Sequence, residues 1–377
     1  MFLIKNGLIF NGKGQAPFKK DIIIKDDKII ALEDNVSNFS NFEKVINAQN
    51  SFVFPGFIDI NTDSDHFFTI FSQPSQKDFI KQGVTTIIGG NCGASLVPFF
   101  YYSLSSLNEW PFEKKINIDW HNFKEFKDLI LKQGIGVNFG TLIGHNTIRR
   151  FLTKGELRDL TDDEIKIFKM IIEENLKIGA LGFSSGLNFF HSRQIPYYEL
   201  KELTKVVADY KKVFAVHLRN NEQDVIYSIL EIIDLAKENN LNIEISHFQP
   251  LKNFKKEYLQ AKELINKFTQ NISIHFDCNP FNSQILPIYL FLPKWFQDNN
   301  NLGKMLEIVL SDHLKTRLLE YFRKFNGEQI IINYVPENLK FLQGKTLLEY
   351  ANLNNISSSE ALLKLMRITH LKASLIY

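Results

Sequence analysis

Three polar residues that can hold a metal or a proton stand at the ends of three short apolar runs. The runs are Val213–His217, Leu241–His247 and Ile272–Asp277, so these residues follow one another at intervals of 30. A segment of helical length separates each run from the next, and a strand–loop–helix repeat of that length is typical of a parallel sheet. Functional groups collect at the carboxyl ends of such strands. We therefore expect the two imidazoles to share one site.

Cys92 is a third candidate donor. It lies in the glycine-rich turn Gly89–Gly93, directly after the β-branched run Val84–Ile88. A lone cysteine in such a turn is more often inert than a ligand, and a single histidine at a strand end is more often structural. Together, a thiolate and two imidazoles form a ligand set suited to Zn²⁺ that leaves one position open for water. We expect Asp277 to accept a hydrogen bond from one of the ligating imidazoles.

Length, charge and cysteine content set the broad class. The chain has 377 residues, 44% of them apolar, enough for an α/β barrel of about 250 residues and a small accessory domain. Its net charge of +2, from 44 basic and 42 acidic residues, gives no electrostatic case for nucleic acid or an anionic membrane. Two cysteines and no long apolar run predict a soluble cytoplasmic protein. We expect a small-molecule substrate, and an oligomer stays open.

The pattern of elements changes near Pro55. Residues 1–55 consist of short apolar runs separated by turn signals, which predicts a small β domain. Strand and helix patterns alternate from residue 56 onward, with a capping box at Thr161–Glu164 that opens a helix to about Lys177 and a loop insertion at 96–120. We count seven strands of barrel type, then a helical stretch at 284–326, a strand at 329–334, helices at 346–354 and 359–367, and no eighth barrel strand before Tyr377. The fold class is therefore α/β, a TIM-type (β/α)8 barrel that lacks strand 8.

Five motifs in register resemble the amidohydrolase superfamily, and most closely its N-acyl-D-amino-acid deacylase (D-aminoacylase) branch. They are Val53–Asp63, Gly83–Gly93, Gly179–Leu187, His217–Arg219 and Ile245–His247. The resemblance implies a metal-dependent barrel beside a small β-sandwich, with a partial sandwich at 1–55 and an incomplete barrel at 56–377. It also implies hydrolysis of a linear amide, such as an N-acyl-amino acid, by water activated at Zn²⁺. The zinc ligands of the branch match Cys92, His217 and His247.

The sequence departs from this branch at several positions. The His-x-His motif after the first barrel strand reads Asn61–Asp63, so a second metal position is doubtful and Asp63 is its one remaining ligand. Gln249 stands in place of a lysine, and Asn279 in place of a tyrosine that helps to hold the substrate carboxylate. The general-base aspartate of strand 8 is missing, which leaves Asp63 and Asp65 as weak substitutes.

Four further residues are candidates for binding the substrate. Ser185 and Arg219 lie in the matching motifs, Asn279 follows the seventh strand, and His145 follows the third. A structural role for His145 is as good an interpretation as orienting the substrate. His191 is a weaker candidate.

Two other interpretations stay open. A pseudoenzyme that keeps the scaffold and one metal would account for the lost residues, whereas a hydantoinase-like or dihydroorotase-like ring opener ranks lower because such sites use the missing His pair and a bridging lysine. A barrel of seven strands leaves two edge strands unpaired. We therefore expect a fragment or a degenerate gene product, unless another polypeptide or residues 285–377 cover the open seam.

Overall fold

A computed structural model describes residues 1–100, 118–189, 192–251, 253–297 and 302–377. The loop insertion predicted at 96–120 lies largely outside the described residues, and His191 lies outside them too. The chain forms two compact units, of which the first comprises Met1–Asp59 with Lys77–Thr86 and the second Ile60–Gln76 with Ile87–Tyr377. No helix in the described ranges combines the length and the apolar character needed to cross a membrane.

The described strands are numbered here in chain order. They are β1 Phe2–Lys5, β2 Leu8–Ile9, β3 Phe18–Lys19, β4 Asp21–Lys25, β5 Lys28–Glu33, β6 Lys44–Asn47, β7 Phe52–Val53, β8 Phe57–Asp59, β9 Val84–Gly89, β10 Asn138–Thr141, β11 Ile143–Gly144, β12 Gly182–Gly186, β13 Val213–His217, β14 Asn242–Ile245, β15 Ser273–Phe276, β16 Ile285–Pro287, β17 Ile331–Tyr334 and β18 Ser374–Ile376.

The described α-helices are numbered in the same way. They are α1 Thr69–Ser72, α2 Lys77–Ile80, α3 Phe123–Gln133, α4 His145–Thr153, α5 Asp162–Ile178, α6 Tyr197–Asp209, α7 Val225–Asn239, α8 Lys255–Phe268, α9 Lys294–Gln297, α10 Leu302–Leu310, α11 Lys315–Phe322, α12 Leu347–Leu353 and α13 Ser358–Ile368, with 3₁₀ helices at Ile288–Phe291 and Glu337–Leu342.

The first unit contains two small sheets. Their strand orders are β5-β4-β1-β6 and β3-β2-β7. The buried carboxylate of Asp21 fixes one corner, because it accepts hydrogen bonds from the backbone N–H groups of Asn6 and Val36 at 3.0 and 2.9 Å. These sheets correspond to the short apolar runs that the sequence places before residue 55.

A parallel sheet of five strands, in the order β11-β12-β13-β14-β15, forms the centre of the second unit. Phe214, Ala215 and Val216 on β13 are all buried, as expected for a parallel strand covered on both faces. The register pairs Gly186 with His217 and Val216 with Ile245. The carboxyl ends of β12, β13 and β14 therefore lie at the same edge of the sheet.

The chain after β15 forms a separate hydrophobic core in the second unit. The predicted helical stretch at 284–326 is wrong at its start, where the strand β16 and a 3₁₀ helix precede α9. The predicted strand at 329–334 and the two helices that follow it are confirmed by β17, α12 and α13. The unpredicted strand β18 pairs antiparallel with β16 and β17, so it is no parallel eighth strand.

The predicted capping box is confirmed at the start of α5. The Thr161 hydroxyl accepts from the backbone N–H of Glu164 at 3.2 Å, and the Glu164 carboxylate accepts from the backbone N–H of Thr161 at 2.8 Å. Helix α5 contributes Phe168 and Ile172 to the core around the parallel sheet. The box therefore fixes the first turn of a helix that packs against the site-bearing strands.

We expect Thr161→Ala to lower the free energy of unfolding by about 1 kcal/mol, since it removes the acceptor for a helix N-terminal N–H group. Urea unfolding measures the change. Thr161→Ser keeps the oxygen and should remain close to the wild type. Equal stability of the alanine variant and the wild type would show that the box contributes nothing.

Candidate metal centre

The structure brings three of the predicted residues together. The Cys92 Sγ lies 3.8 Å from the His217 Nδ1 and 3.5 Å from the His247 Nε2. The three potential ligand atoms all lie within 4.8 Å of one another. The two imidazole rings stand nearly perpendicular, at an angle of 83° with their centroids 4.2 Å apart. They are thus placed to approach one point from two directions.

Strand pairing and two unusual backbone conformations produce this convergence. His217 is the last residue of β13, and His247 comes two residues after the end of the neighbouring strand β14. Cys92 lies three residues after β9, in a fully buried turn. Cys92 and His247 adopt left-handed backbone angles, with φ of 52° and 39°. Such angles are uncommon for residues other than glycine and often mark functional sites.

The separations fit a zinc ion. In a tetrahedral site with Zn–S and Zn–N bonds of about 2.3 and 2.0–2.1 Å, adjacent sulfur and nitrogen donors lie roughly 3.6 Å apart. The observed distances of 3.5 and 3.8 Å bracket that value. Among the residues that the structure describes, Cys92, His217 and His247 form the group of three or more His, Cys, Asp or Glu side chains whose ligand atoms lie close enough together to hold an ion.

The protonation states of the two imidazoles also suit a metal. Burial, followed by the neighbouring His247, lowers the pKa of His217 well below its usual range, and burial lowers the pKa of His247. Both rings are therefore neutral near pH 7 and keep a lone pair for coordination. Burial, followed by the charge of Asp63, raises the pKa of the Cys92 thiol. A bound cation would replace that thiol proton.

Asp277 links two sides of the site through hydrogen bonds. Its Oδ1 accepts from the backbone N–H of His247 at 2.8 Å, and its Oδ2 accepts from the Asn61 side-chain amide at 2.9 Å. The sequence predicted a bond to an imidazole ring, but the bond that the structure shows goes to the His247 backbone. The reason is the parallel pairing of β14 with β15, which sets Ile245 opposite Phe276 and so brings Asp277 beside the backbone that follows β14.

Glu244 is a buried carboxyl group behind Asp277. Its Oε1 accepts from the backbone N–H of Asp277 at 3.1 Å, and its Oε2 accepts from the Ser246 hydroxyl at 3.0 Å. Burial, together with a hydrogen bond to the Asp277 carboxylate and the charge of that group, raises the pKa of Glu244 to about 9. Glu244 is therefore protonated near pH 7.

The two candidate carboxylates after β8 have different surroundings. Asp65 is buried, and its Oδ2 accepts from the backbone N–H of Gly90 at 2.6 Å. The Asp63 side chain is 44% exposed, and its Oδ1 lies 2.9 Å from the Nδ1 of the buried His66. Burial would lower the pKa of His66, but the charges of Asp65 and Asp63 outweigh it and raise that pKa to about 9. Asp63 is thus the carboxylate of this pair that solvent reaches.

His145 and Ser185 form a buried polar network. The His145 Nδ1 lies 3.0 Å from the Ser185 hydroxyl, and its Nε2 lies 2.9 Å from the Glu199 Oε1. Arg149 donates to the same carboxylate oxygen at 2.9 Å. Burial lowers the pKa of His145, although Glu199 opposes this. Both His145 and Ser185 have no exposed surface, so this arrangement matches the structural interpretation of His145.

Arg219 and Asn279 are held by their own neighbours. The Arg219 guanidinium donates to both Glu231 oxygens, at 3.2 and 2.7 Å, and borders a cavity of about 410 Å³ that Arg193 and Lys294 also line. The Asn279 amide donates to the Ser283 carbonyl at 3.1 Å. The three metal-site residues converge, and substrate binding by Arg219 and Asn279 stays a prediction.

The prediction from sequence missed His66 and Glu244. His66 could have been found from its spacing of three residues from Asp63, which suits a carboxylate–imidazole pair in a turn. Glu244 interrupts an apolar strand three residues before His247, and an acidic residue inside a buried strand needs a partner. Both signals are local, but Asp277, the partner of Glu244, is identified only in three dimensions.

The fold and the site define a class of protein. Two neighbouring parallel strands, β13 and β14, lead to imidazoles at one edge of the sheet, and the turn after β9 adds a thiol to form a candidate metal centre in an α/β architecture. The subset of amidohydrolases that the chain resembles is that of the D-aminoacylases, which confirms the resemblance found in the sequence. No profile of a known protein family matches the chain.

Two relatives show the similarity in sequence. A D-aminoacylase of Alcaligenes xylosoxydans xylosoxydans is 27% identical over 252 residues, which cover 65% of this chain and 50% of that protein. An N-acyl-D-aspartate deacylase of the same organism is 24% identical over 289 residues, covering 74% of this chain and 56% of that protein. The chain thus spans about half the length of the curated relatives that it matches.

Two crystal structures show the similarity in fold. One is the N-acyl-D-glutamate deacylase from Bordetella bronchiseptica, complexed with zinc and a phosphonate inhibitor that mimics the tetrahedral intermediate of its reaction, with a TM-score of 0.77 and 19% identity. The other is a D-aminoacylase with a binuclear metal centre, with a TM-score of 0.77 and 20% identity. Each match covers 100% of this chain and 71% of the other chain. The α/β fold of the chain is therefore that of the D-aminoacylases.

The raised pKa of Glu244 predicts a pH-dependent stability. A carboxyl group whose pKa rises on folding, here from 4.5 to about 9, stabilises the fold below pH 4.5, and this contribution is lost as the pH rises towards 9. Relative to the wild type, Glu244→Gln should therefore gain stability between about pH 5 and about pH 8, by up to about 1.4 kcal/mol per pH unit. Urea unfolding with a chelator present measures this difference.

Glu263→Gln, at an exposed position on α8, is the matched control and should keep the wild-type pH trend. If the free energies of unfolding of Glu244→Gln and the wild type differ by the same amount at about pH 5 and about pH 8, Glu244 is ionised in the folded protein.

Proposed function

We propose that the chain is a zinc-dependent amidohydrolase that cleaves a linear amide, of the N-acyl-amino-acid class that D-aminoacylases hydrolyse. The convergence of the Cys92 thiol with the imidazoles of His217 and His247 carries this proposal. The activities of the similar proteins, and the zinc in one of them, support it.

Cys92, His217 and His247 would hold the zinc ion. When bound at such a site, zinc polarises a substrate carbonyl and lowers the pKa of a coordinated water. Two neutral imidazoles and one thiolate leave the ion with a positive charge and an open position. The surrounding carboxylates of Asp63 and Asp277 attract the cation from a short distance, as their influence on the pKa of Cys92 indicates.

Asp63 is our candidate for moving the proton. It is partly exposed, it lies close enough to Cys92 and His247 to influence both pKa values, and His66 fixes one of its oxygens. As water adds to the acyl carbon, Asp63 would take the water proton and return it to the departing amine nitrogen. The C–N bond then breaks to give a carboxylic acid and an amine. The burial of Asp65 and its bond to Gly90 make it the weaker candidate.

The site favours one ion over two. The Asn61 amide, which stands where the branch has an imidazole, donates to the Asp277 carboxylate at 2.9 Å. An amide nitrogen has no lone pair for a metal, and this bond also occupies an oxygen of Asp277. We therefore propose a single tightly held zinc, although a D-aminoacylase of the same fold has a binuclear centre.

We also propose that β8, β9, β10 together with β11, β12, β13, β14 and β15 are seven strands of a (β/α)8 barrel, and that residues 1–55 are part of a small β-sandwich. The parallel order β11-β12-β13-β14-β15 supports the barrel. The whole-protein activity of the relatives remains a proposal for this chain, which spans about half of their length.

Metal content tests the proposed function. The purified chain should bind about one zinc per molecule and release amine from N-acyl-D-amino acids, and a chelator should abolish both properties. Cys92→Ala and His247→Ala should each lower the zinc content several-fold, because each removes one of three protein ligands. Elemental analysis and an amine-release assay measure the two effects.

Cys278→Ala and His275→Ala are the matched controls. They remove side chains of the same two types, a thiol and an imidazole, at exposed positions outside the proposed centre. Both variants should therefore retain zinc. Zinc bound without turnover would favour the pseudoenzyme, whereas an absence of zinc in the wild type, or its retention after Cys92→Ala, would refute the proposed centre.

A further inference from the structure

The turn that carries Cys92 is buried and conformationally unusual. Gly90, Cys92 and Gly93 all have left-handed backbone angles, with φ of 73°, 52° and 79°. One backbone hydrogen bond spans Cys92, from the Ala94 N–H to the Asn91 carbonyl at 3.1 Å, and side chains hold the turn as well. The direction of the Cys92 sulfur depends on this turn, because Cys92 lies at its centre.

A single hydroxyl bridges the two flanks of Cys92. The Ser184 hydroxyl donates to the Gly90 carbonyl and accepts from the backbone N–H of Gly93 at 3.1 Å. Ser184 has no exposed surface, so water cannot replace its oxygen without entering the core. We propose that Ser184 is a positioning residue for Cys92, which holds the sulfur towards His217 and His247. This inference rests on the proposed metal centre.

The position of Ser184 on β12 connects Cys92 to the second ligand. Strand β12 pairs with β13 in a register that sets Ser184 opposite Ala215 and Gly186 opposite His217. The bonds from Ser184 to the turn therefore fix Cys92 relative to the strand that ends at His217. The pairing of β12 with β13 therefore helps to set the distance between the Cys92 sulfur and the His217 imidazole.

Other contacts hold the turn as well, among them the Asn146 side-chain amide, which donates to the Cys92 carbonyl at 3.5 Å. The carboxylate of Asp65 accepts from the backbone N–H of Gly90 at 2.6 Å, and the backbone N–H of Asn146 donates to the Gly93 carbonyl at 2.8 Å. Each of the last two contacts fixes one flank. They will keep the turn folded when the Ser184 hydroxyl is removed, so a variant should lose precision at Cys92 before it loses the fold.

The neighbouring serine provides a matched control. Ser185 lies on the same strand and is equally buried, but its hydroxyl points to the His145 Nδ1 at 3.0 Å. Ser185→Ala removes the same atom from the same environment and leaves the Cys92 turn untouched. A general effect of deleting a buried hydroxyl would appear in both variants, whereas a positioning effect would appear only in Ser184→Ala.

The test compares metal binding by Ser184→Ala, Ser185→Ala and the wild type. We expect Ser184→Ala to raise the Kd for Zn²⁺, measured by competition with a chelator, by about 10–100-fold, the usual effect of removing a group that orients a ligand. The thiolate-to-metal absorption band of the Co²⁺-loaded protein should weaken or shift in the same variant. Ser185→Ala should retain the wild-type Kd and band.

A second pair of variants protects against loss of the fold. Ser184→Thr and Ser184→Val have nearly the same shape and differ in the hydroxyl, so the threonine variant should bind Zn²⁺ more tightly than the valine variant. Equal Kd values and equal Co²⁺ spectra within either comparison overturn the role of Ser184 and leave the metal centre standing. If the wild type binds neither Zn²⁺ nor Co²⁺ through the Cys92 thiolate, both the role of Ser184 and the proposed metal centre are overturned.

Discussion

In-register pairing of parallel strands is the constraint on which the candidate site depends. Because Gly186 pairs with His217 and Val216 with Ile245, the loops that follow β12, β13 and β14 leave the sheet at the same edge. A shift of one residue in either register would turn the strand's side chains to the opposite face. The apolar side chains of Phe214 and Val216 resist such a shift, since they are buried between the sheet and its helices. The register of β13 that buries its apolar side chains is therefore also the register that places His217 at the site.

Negative charge surrounds the three ligand side chains. Asp63, Asp277, Glu244 and Asp65 all act on the Cys92 thiol and raise its pKa, and Glu244 avoids part of the repulsion by holding a proton. Such a group of carboxylates is costly in a buried site unless a cation or shared protons compensate it. His66 already provides one internal positive charge between Asp63 and Asp65. A divalent ion at Cys92 would compensate much of the remainder, so metal binding and folding stability are coupled in this protein.

The sequence indicated most of the strand and helix pattern and the three converging residues, because apolar runs that end in His217 and His247, and a cysteine in the glycine-rich turn after another such run, are local signals. It could not indicate the direction of hydrogen bonds. Asp277 was expected to contact a ring and instead bonds to the His247 backbone, since the register of β14 against β15 decides which groups meet there. Ser185 and Arg219 were chosen for their motifs, which gave no sign of their hydrogen bonds to His145 and Glu231. Partners of long sequence separation decide such roles. The start of the 284–326 stretch failed for a similar reason, because β16 exists through its pairing with β18, whose sequence Ser374–Ile376 is too short to predict.

The left-handed backbone at Cys92 has an evolutionary consequence. A non-glycine residue held at such an angle costs about 1–3 kcal/mol, a large share of the 5–15 kcal/mol that keeps a typical domain folded. Mutation to glycine at this position would relieve the strain and cost the fold a modest buried side chain. A lineage that had abandoned the thiol would therefore drift readily towards glycine or asparagine. A cysteine that still occupies this angle is a destabilising choice, which is intelligible where its sulfur is still in use.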